Sequence, residues 1–212
     1  MASDPYLYPR TTILKNKFGI KDQLVLDEME AEYTSMRLSE IAENFLAGNY
    51  DIQHLYDIHR YIFQDIYEWA GEPRTIDIEK AEAVLGGISI DYSPNEEIET
   101  ALICQIDKMK LIDWTALTTK EAAEAFSQIL SQLWLIHPFR EGNTRTVTHF
   151  CCQYADSVGL SIDQTLFEQN SRFLRNALVA ANAKFKDLGD LSKPEHLERI
   201  VYDAVMRGQQ NE

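Results

Sequence analysis

This sequence lacks long apolar runs, a basic surplus and paired cysteines. No stretch approaches the roughly 20 apolar residues that a membrane-spanning helix needs. Residues 1–10 do not combine a basic start with an apolar block, so no secretion signal is visible. Its three cysteines have no Cys-x-x-Cys spacing, which argues against a disulfide framework and a zinc site. We therefore expect a protein with no membrane-bound segment that is cytoplasmic, or that is exported by a signal the sequence does not show.

Basic residues are also scarce relative to acidic ones. The chain has 20 Lys and Arg against 34 Asp and Glu, which gives a formal net charge of −14. Sequence-independent binding to nucleic acid needs a basic surface, so we expect no nucleic-acid partner. No Pro-, Gly- or Ser-rich linker divides the chain, and residues 1–212 are predicted to form a single domain. Its parts would be an N-terminal arm with a first helix (1–50), a core (51–160) and C-terminal helices (161–212). A homo-oligomer stays open.

Apolar residues recur at helical spacing through most of the chain, which predicts an all-α helical bundle. The exception is the region 75–92, where apolar and polar residues alternate on both sides of Gly86-Gly87. Such alternation is typical of a β-hairpin. The predicted helices span about 21–46, 51–69, 93–112, 118–137, 144–158, 163–186 and 193–207.

The richest chemistry lies between two predicted helices, from His137 to Arg145. An imidazole is the side chain best suited to accept a proton near neutral pH, so His137 is the candidate general base. Phe139, between polar neighbours, is expected to insert into the core and anchor the loop. A lone His at a helix end is more often a cap or a satisfied interior residue, but here it does not stand alone.

The second half of this loop has the composition of an anion site. Gly142 and Asn143 can direct successive backbone N–H groups into one concavity at the positive end of the next helix. Arg145 adds a fixed positive charge, and Glu141 is placed to hold a divalent cation on phosphate oxygens. A base, an anion nest and a metal carboxylate together predict transfer of a phosphorus-containing group from a nucleotide to a hydroxyl.

These residues carry a resemblance to a known family. The stretch from His137 to Arg145 resembles the active-site motif of the Fic family, His-x-Phe-x-Asp/Glu-Gly-Asn-Gly-Arg-x-x-Arg. Residues 63–75 are similar to the Fic segment that leads into a β-hairpin flap, and residues 14–20 resemble a common Fic N-terminal segment. The resemblance implies a Fic-type helical bundle with the flap beside the active-site loop.

The resemblance also implies a role for each matching residue. His137 would be the base for a Tyr, Ser or Thr hydroxyl of a target protein, and Glu141 would bind Mg²⁺. The phosphate-binding positions would be Gly142, Asn143, Thr144 and Arg145, with Asn143 on the α-phosphate and Arg145 on the outer phosphates. The reaction would transfer AMP from ATP and release pyrophosphate. The flap would hold the target by adding a strand at Thr75, Ile76, Asp77 and Ile78.

Two positions depart from the family motif. Thr144 stands where Gly is usual, which is expected to narrow the nest, and Thr148 stands where a second Arg is usual. A flipped nucleotide would give phosphorylation, as in the Doc-type branch, although Doc-type motifs carry Lys at the position of Thr144. Use of another nucleotide is a further alternative. An alternative of another class is a non-catalytic module that binds a nucleotide or a partner.

Residues 39–44 resemble the Fic inhibitory motif, Ser/Thr-x-x-x-Glu-Gly/Asn. Ser39 and Glu43 fall one turn apart on one helix face. In the family, this glutamate pairs with the second Arg, which Thr148 replaces here. The resemblance therefore implies an inhibition that is weak or that acts through Arg145.

Overall fold

The computed structural model describes residues 4–210, and this part of the chain contains eight α-helices and one short β-hairpin. The predicted all-α class is confirmed. The elements are α1 (Gln23–Glu43), α2 (Ile52–Phe63), α3 (Ile98–Lys110), α4 (Thr119–Ile136), α5 (Asn143–Ser157), α6 (Gln164–Gln169), α7 (Ser171–Ala181), β1 (Lys184–Phe185), β2 (Gly189–Asp190) and α8 (Glu195–Gln210). The predicted domain also includes residues 1–3 and 211–212, which lie outside the described residues. Across positions 4–210, no helix is long and apolar enough to cross a membrane.

The central helix is α4, which packs against α3, α5, α7 and α8. Thr118 and Glu121 start it with a capping box, in which the Thr118 N–H donates to Glu121 Oε2 at 2.9 Å. Trp134 and other large apolar side chains of α4 are fully buried, and each such burial stabilises the fold by roughly 1.5–3 kcal/mol. The helix ends at Ile136 because His137 adopts a left-handed conformation and Pro138 follows. Position 137 therefore lies at the C-terminal end of the central helix.

Helix α1 packs on α2 and carries polar groups toward the loop after α4. Asp22 caps its start by accepting the N–H of Leu24 at 2.9 Å. Arg37 fixes its C-terminal half, since the guanidinium donates to both oxygens of Asp65 at 2.7 and 3.1 Å. This bidentate pair lowers the pKa of Asp65 and ties α1 to the turn that follows α2.

The predicted strands of the flap do not form. Residues 75–92 run beside the loop after α4, but they contain only one isolated bridge, between Glu82 and Ile88, and a 3₁₀ turn at Ala83–Leu85. Side chains take the groups that a ladder would have used: Ser89 Oγ accepts the Lys80 N–H at 3.0 Å, and the Ile76 carbonyl accepts from Arg74 at 2.7 Å. In the described part of the chain, β pairing as a ladder occurs between β1 and β2, where Lys184 faces Asp190.

Two predicted helices have different bounds from those expected. The helix predicted for 51–69 ends at Phe63, and turns follow, because the Ile66 carbonyl accepts the N–H of Lys17 from the N-terminal arm at 2.8 Å. The helix predicted for 163–186 is divided into α6 and α7 at Asn170, and its last residues form β1. The first difference comes from a contact that helical periodicity does not report.

Candidate active site

The loop between α4 and α5 begins at His137, whose backbone is left-handed (φ 52°, ψ 58°) and whose residue is 2% exposed. A non-glycine residue in this region is uncommon and needs support from its surroundings. Arg74 supplies that support: its Nε donates to the His137 carbonyl at 2.8 Å and its backbone N–H donates to the Pro138 carbonyl at 2.7 Å. The geometry of the candidate base is therefore set by a residue at the start of the flap.

The imidazole of His137 is prepared to accept a proton. Its Nδ1 lies 3.3 Å from the Trp134 carbonyl, and since a carbonyl can only accept, Nδ1 carries the hydrogen. The other nitrogen, Nε2, is buried and has no hydrogen-bond partner among residues 4–210. Burial lowers the pKa of His137 well below its usual value, and the positive charges of Lys80 and Arg74 act in the same direction. The ring is neutral, with a free lone pair on Nε2.

Phe139 is buried beneath the loop, where an anchor was expected. It is 0% exposed and stacks on the His59 ring with centroids 3.7 Å apart. His59 in turn accepts the Gly71 N–H at Nδ1 and faces the Glu141 carbonyl with Nε2 at 3.1 Å. Burial lowers the pKa of His59 to about 3, so this ring serves as a neutral spacer between α2 and the loop.

Asn143 closes the loop with its side chain. Its Oδ1 accepts the Phe139 N–H at 2.9 Å, and its Nδ2 donates to the Phe139 carbonyl at 2.8 Å. The amide side chain therefore binds the loop itself in this structure. The main-chain N–H of Asn143, at the start of α5, is therefore the group that can bind an anion.

The predicted anion nest would be formed by Gly142 and the first turn of α5. Gly142 is left-handed (φ 83°), and a Cβ there would lie 2.2 Å from Phe63 Cζ, so only glycine fits. The first N–H groups of α5 have no carbonyl within the helix to bond to, and they carry its positive dipole end. Thr144 lies inside this turn as an ordinary helical residue, and its Oγ1 accepts the Trp134 Nε1–H at 2.9 Å. No positive φ is needed at position 144.

Glu141 and Lys80 form an ion pair over the nest. The Glu141 carboxylate accepts from Lys80 Nζ at 3.0 Å and from the Gly142 N–H at 3.0 Å. Burial works against ionisation, but the ammonium and the backbone donor outweigh it and lower the pKa of Glu141 to about 2. Glu141 therefore stays charged and already attracts a cation.

Arg145 is held by α1 and α2. Its Nη1 donates to Thr34 Oγ1 at 2.9 Å, its Nη2 pairs with Glu30, and its guanidinium carbon lies 4.7 Å from the centroid of the Phe63 ring. The other oxygen of Glu30 accepts from the Tyr67 hydroxyl. Arg145 would have to leave Glu30, or share it, to bind a phosphate.

A cavity of about 480 Å³ lies beside the nest, between α1, α5 and the α6–α7 region. Thr144, Arg145 and Thr148 border it from α5, and Ser39 borders it from α1. The Thr148 hydroxyl is buried without a hydrogen-bond partner in the described part of the chain. Glu43 is exposed at the C-terminal end of α1.

The flap residues named from the sequence lie beside the loop. The Thr75 N–H donates to the Tyr6 hydroxyl at 3.0 Å, Ile76 is bound by Arg74, and Asp77 Oδ1 accepts the Asn95 N–H at 2.7 Å. Within the described residues, the backbone groups of 77–79, which include Ile78, bond to no other backbone group. That edge is open to an added strand.

Sequence reasoning missed four residues of this site: Glu30, His59, Arg74 and Lys80. Each belongs to an element that is distant from the loop in sequence, so no local pattern could predict that it contacts the loop. Arg74 had a weak signal, since it lies in the segment 63–75 that resembles the family. His59 had another, because it interrupts the apolar face of α2.

Comparison with known proteins identifies the family. Residues 49–155, half of the chain, match the Fic/DOC family. A probable protein adenylyltransferase of Sinorhizobium fredii, y4lH, is 36% identical over 82% of this chain and 85% of its own length. The chain therefore belongs to the Fic/DOC family, and the resemblance stated from the motif is confirmed.

Two other proteins extend the comparison. The protein adenylyltransferase VbhT of Bartonella schoenbuchensis is 32% identical over 76% of this chain, which spans only 33% of VbhT. The crystal structure of BepC from Bartonella tribocorum with bound AMPPNP has the same fold, with a TM-score of 0.75, 23% identity and coverage of 94% of this chain and 95% of BepC. At that identity the likeness shows the fold alone.

Proposed function

We propose that this chain is a protein adenylyltransferase that transfers AMP from ATP to a Tyr, Ser or Thr hydroxyl of a target protein. The observation that carries the proposal is the buried, unpartnered Nε2 of His137, one loop away from the unpaired amides of α5. Relatives named as protein adenylyltransferases support the choice of AMP over other groups.

The reaction follows from the placement of these groups. The target hydroxyl would give its proton to His137 Nε2 while its oxygen attacks the α-phosphorus. A new oxygen–phosphorus bond forms, the α–β phosphoanhydride bond breaks, and pyrophosphate leaves. The N–H groups of Asn143 and Thr144 would stabilise the charge on the α-phosphate oxygens, and so would that of Gly142 once it leaves the Glu141 carboxylate. Arg145 would move from Glu30 to the outer phosphates.

Glu141 is the residue that fits a divalent cation. The described residues contain no cluster of three or more metal-binding side chains, but Mg²⁺ is commonly held by one or two carboxylates together with substrate phosphates. The low pKa of Glu141 and the ammonium group already at its oxygen agree with that role. When bound, Mg²⁺ would neutralise phosphate charge; Lys80 would have to withdraw from Glu141 to admit it.

The target segment would bind at the flap edge. The open backbone groups of residues 77–79 can pair with an extended peptide, in line with the strand addition expected at Thr75, Ile76, Asp77 and Ile78. This edge and the imidazole of His137 are linked through Arg74, which binds the Ile76 and His137 carbonyls.

Mass spectrometry of the protein and of lysate proteins tests the proposal, after incubation with Mg²⁺ and, separately, ATP, GTP, CTP and UTP. We expect an AMP adduct with ATP that disappears in His137→Ala. A phosphate-sized adduct would favour the Doc-like phosphotransferase, and an adduct from another nucleotide would correct the substrate. Nucleotide binding without any adduct would favour the non-catalytic module.

The inhibitory role of Ser39 and Glu43 stays a prediction. Ser39 borders the cavity next to Arg145, which supports the placement, but the carboxylate that pairs with Arg145 in this structure belongs to Glu30. We therefore propose comparing the rates of AMP transfer in Glu43→Gly and in Glu30→Gln, which removes the carboxylate that pairs with Arg145 here. If Glu43 inhibits, its variant transfers AMP faster than the wild type; unchanged transfer and nucleotide binding would refute that role.

A further inference from the structure

The end of the flap covers the imidazole of His137. The Tyr92 ring lies against it with centroids 4.1 Å apart and an interplanar angle of 35°, while Trp134 meets it edge-on at 5.2 Å. Tyr92 therefore covers one face of an imidazole whose Nε2 is itself buried. The charged groups around this ring are Lys80, Glu141 and Arg74.

Tyr92 is held in this position by a buried carboxylate. Its hydroxyl donates to Glu82 Oε1 at 3.1 Å, and Glu82 is 1% exposed. Burial and the nearby carboxylate raise the pKa of Tyr92, so the hydroxyl keeps its proton and remains a donor. A buried carboxylate is costly unless it is paired, so Glu82 needs a cation.

Arg175 of α7 is that cation. Its Nη1 and Nη2 donate to the two oxygens of Glu82 at 2.7 and 2.9 Å, a bidentate pair with fixed geometry. The backbone of Glu82 is fixed as well, since its carbonyl accepts the N–H groups of Leu85 and Gly87, both at 2.9 Å. The carboxylate can satisfy Arg175 and Tyr92 together only when the flap lies on α7.

We propose that Tyr92 is a positioning residue for His137 and that Glu82 and Arg175 hold it there, so that the flap keeps the imidazole ordered and dry. The Glu82–Arg175 ion pair joins the outer side of the flap to α7. Lys80 joins the inner side of the flap to Glu141. When Tyr92 is released, water reaches Nε2 and competes with the target hydroxyl. The inference rests on His137 being the base, as proposed above.

The test uses the full chain and needs no target protein. Diethyl pyrocarbonate modifies accessible imidazoles, and mass spectrometry of the peptide that contains His137 gives the rate of modification of this ring. Nitrogen NMR of labelled histidine reports the ring's tautomer and order in the same samples. The variants are Tyr92→Ala, Tyr92→Phe, Glu82→Gln and the Tyr92→Phe/Glu82→Gln double variant. Tyr61→Phe is the matched control, because Tyr61 donates to Glu40 at 2.9 Å away from the loop.

We expect His137 to be modified about tenfold faster in Tyr92→Phe, the change in open population that corresponds to losing one hydrogen bond to a charged group. Tyr92→Ala should be faster still. The double variant should match the faster of its two single variants, since both act through one contact. Tyr61→Phe should leave the rate and the ring signals unchanged.

Equal modification rates in wild type and Tyr92→Ala would overturn the proposal, and so would an equal increase in Tyr61→Phe. If Glu82→Gln unfolds, as circular dichroism would show, Tyr92→Phe decides alone, because it keeps the ring and the ion pair. Loss of the proposed function is a separate result: it appears as absent AMP transfer in the wild type and leaves these ring measurements unaffected.

Discussion

Arg74 is a charged side chain with 0% exposure, and its hydrogen bonds go mainly to main-chain carbonyls. A planar guanidinium can reach several acceptors at once, whereas an ammonium group cannot. Arg74 thereby joins the C-terminal end of α4 to both ends of the flap. The carbonyls that accept from it belong to Ile76, Ser93, Ile136 and His137.

Arg74→Lys should therefore destabilise the protein by about 3 kcal/mol, because at least two charge-assisted hydrogen bonds are lost in a buried place. Urea unfolding measures the change, with Arg172→Lys on the exposed side of α7 as the control. A loss of stability no larger than that of Arg172→Lys would contradict this role and show that the carbonyls bind water instead.

Gly142 is a second position where one added atom, a Cβ, should determine the stability of the fold. Gly142→Ala combines a left-handed backbone with a Cβ at 2.2 Å from Phe63, so it should cost about 3 kcal/mol or more. Gly159 has nearly the same backbone (φ 79°) and open space around it, so Gly159→Ala should cost only about 1–2 kcal/mol. Equal costs in urea unfolding would mean that Phe63 moves aside freely.

How far the sequence predicts the site depends on distance along the chain. His137, Glu141, Gly142 and Arg145 are near neighbours, so their residue types alone predicted a shared loop. Glu30, Arg74 and Lys80 contact that loop from 115, 63 and 61 positions away, and no short pattern encodes such pairs. Thr144 shows a different limit. The motif has glycine at this position, but the backbone there is helical and needs no positive φ, so the change to threonine says little about the conformation of the loop.

At the scale of elements, the described residues of the flap form no β-ladder. Two ion pairs, Lys80–Glu141 and Glu82–Arg175, attach it to the rest of the fold. Alternation of apolar and polar residues predicted that 75–92 would be extended, but not that side chains of Arg74 and Ser89 would take the backbone groups of two strands. The helix pattern had the same weakness at the end of α2, where the N-terminal arm supplies the competing contact. Periodicity predicts which face is buried; it does not predict which partner a backbone group has.

The pair between Lys80 and Glu141 makes the flap sensitive to the metal. Lys80→Met removes the competing ammonium group, so Glu141 should bind a divalent cation more tightly, by about fivefold for a pair of roughly 1 kcal/mol. Titration of nucleotide-free protein with Mn²⁺, followed by electron paramagnetic resonance, gives the affinity. Lys17→Met, which removes an exposed pair with Glu68, is the control. Unchanged affinity in Lys80→Met would argue against Glu141 as the ligand.

At the scale of the whole molecule, four histidines are buried in the neutral form. Burial lowers the pKa of His54, of His59 to about 3, of His137 and of His149 to about 4. Unfolded imidazoles titrate near pH 6.5, so below that pH the unfolded chain takes up protons that the folded chain refuses. The stability contributed by these neutral rings is complete at pH 7 and is lost as the pH falls toward 4.

His149→Gln tests this dependence. Between pH 7 and pH 5, the free energy of unfolding should fall by about 2 kcal/mol less in the variant than in the wild type, since one pKa unit corresponds to about 1.4 kcal/mol. Urea unfolding at both pH values provides the comparison, and His196→Gln, at an exposed position of α8, is the control. Parallel pH dependence in His149→Gln and wild type would contradict the linkage.

The single domain, the cytoplasmic location and the oligomeric state remain predictions, while the Fic/DOC family is established by the match over residues 49–155.

The central claim concerns which phosphorus atom of ATP is transferred to the protein. Transfer of radioactive label tests it most directly, from ATP labelled at either the α- or the γ-phosphorus, in wild type and His137→Ala. We expect α-label on protein and γ-label in released pyrophosphate, with no transfer in the variant. Protein-bound γ-label, or α-label that persists without His137, would contradict the account.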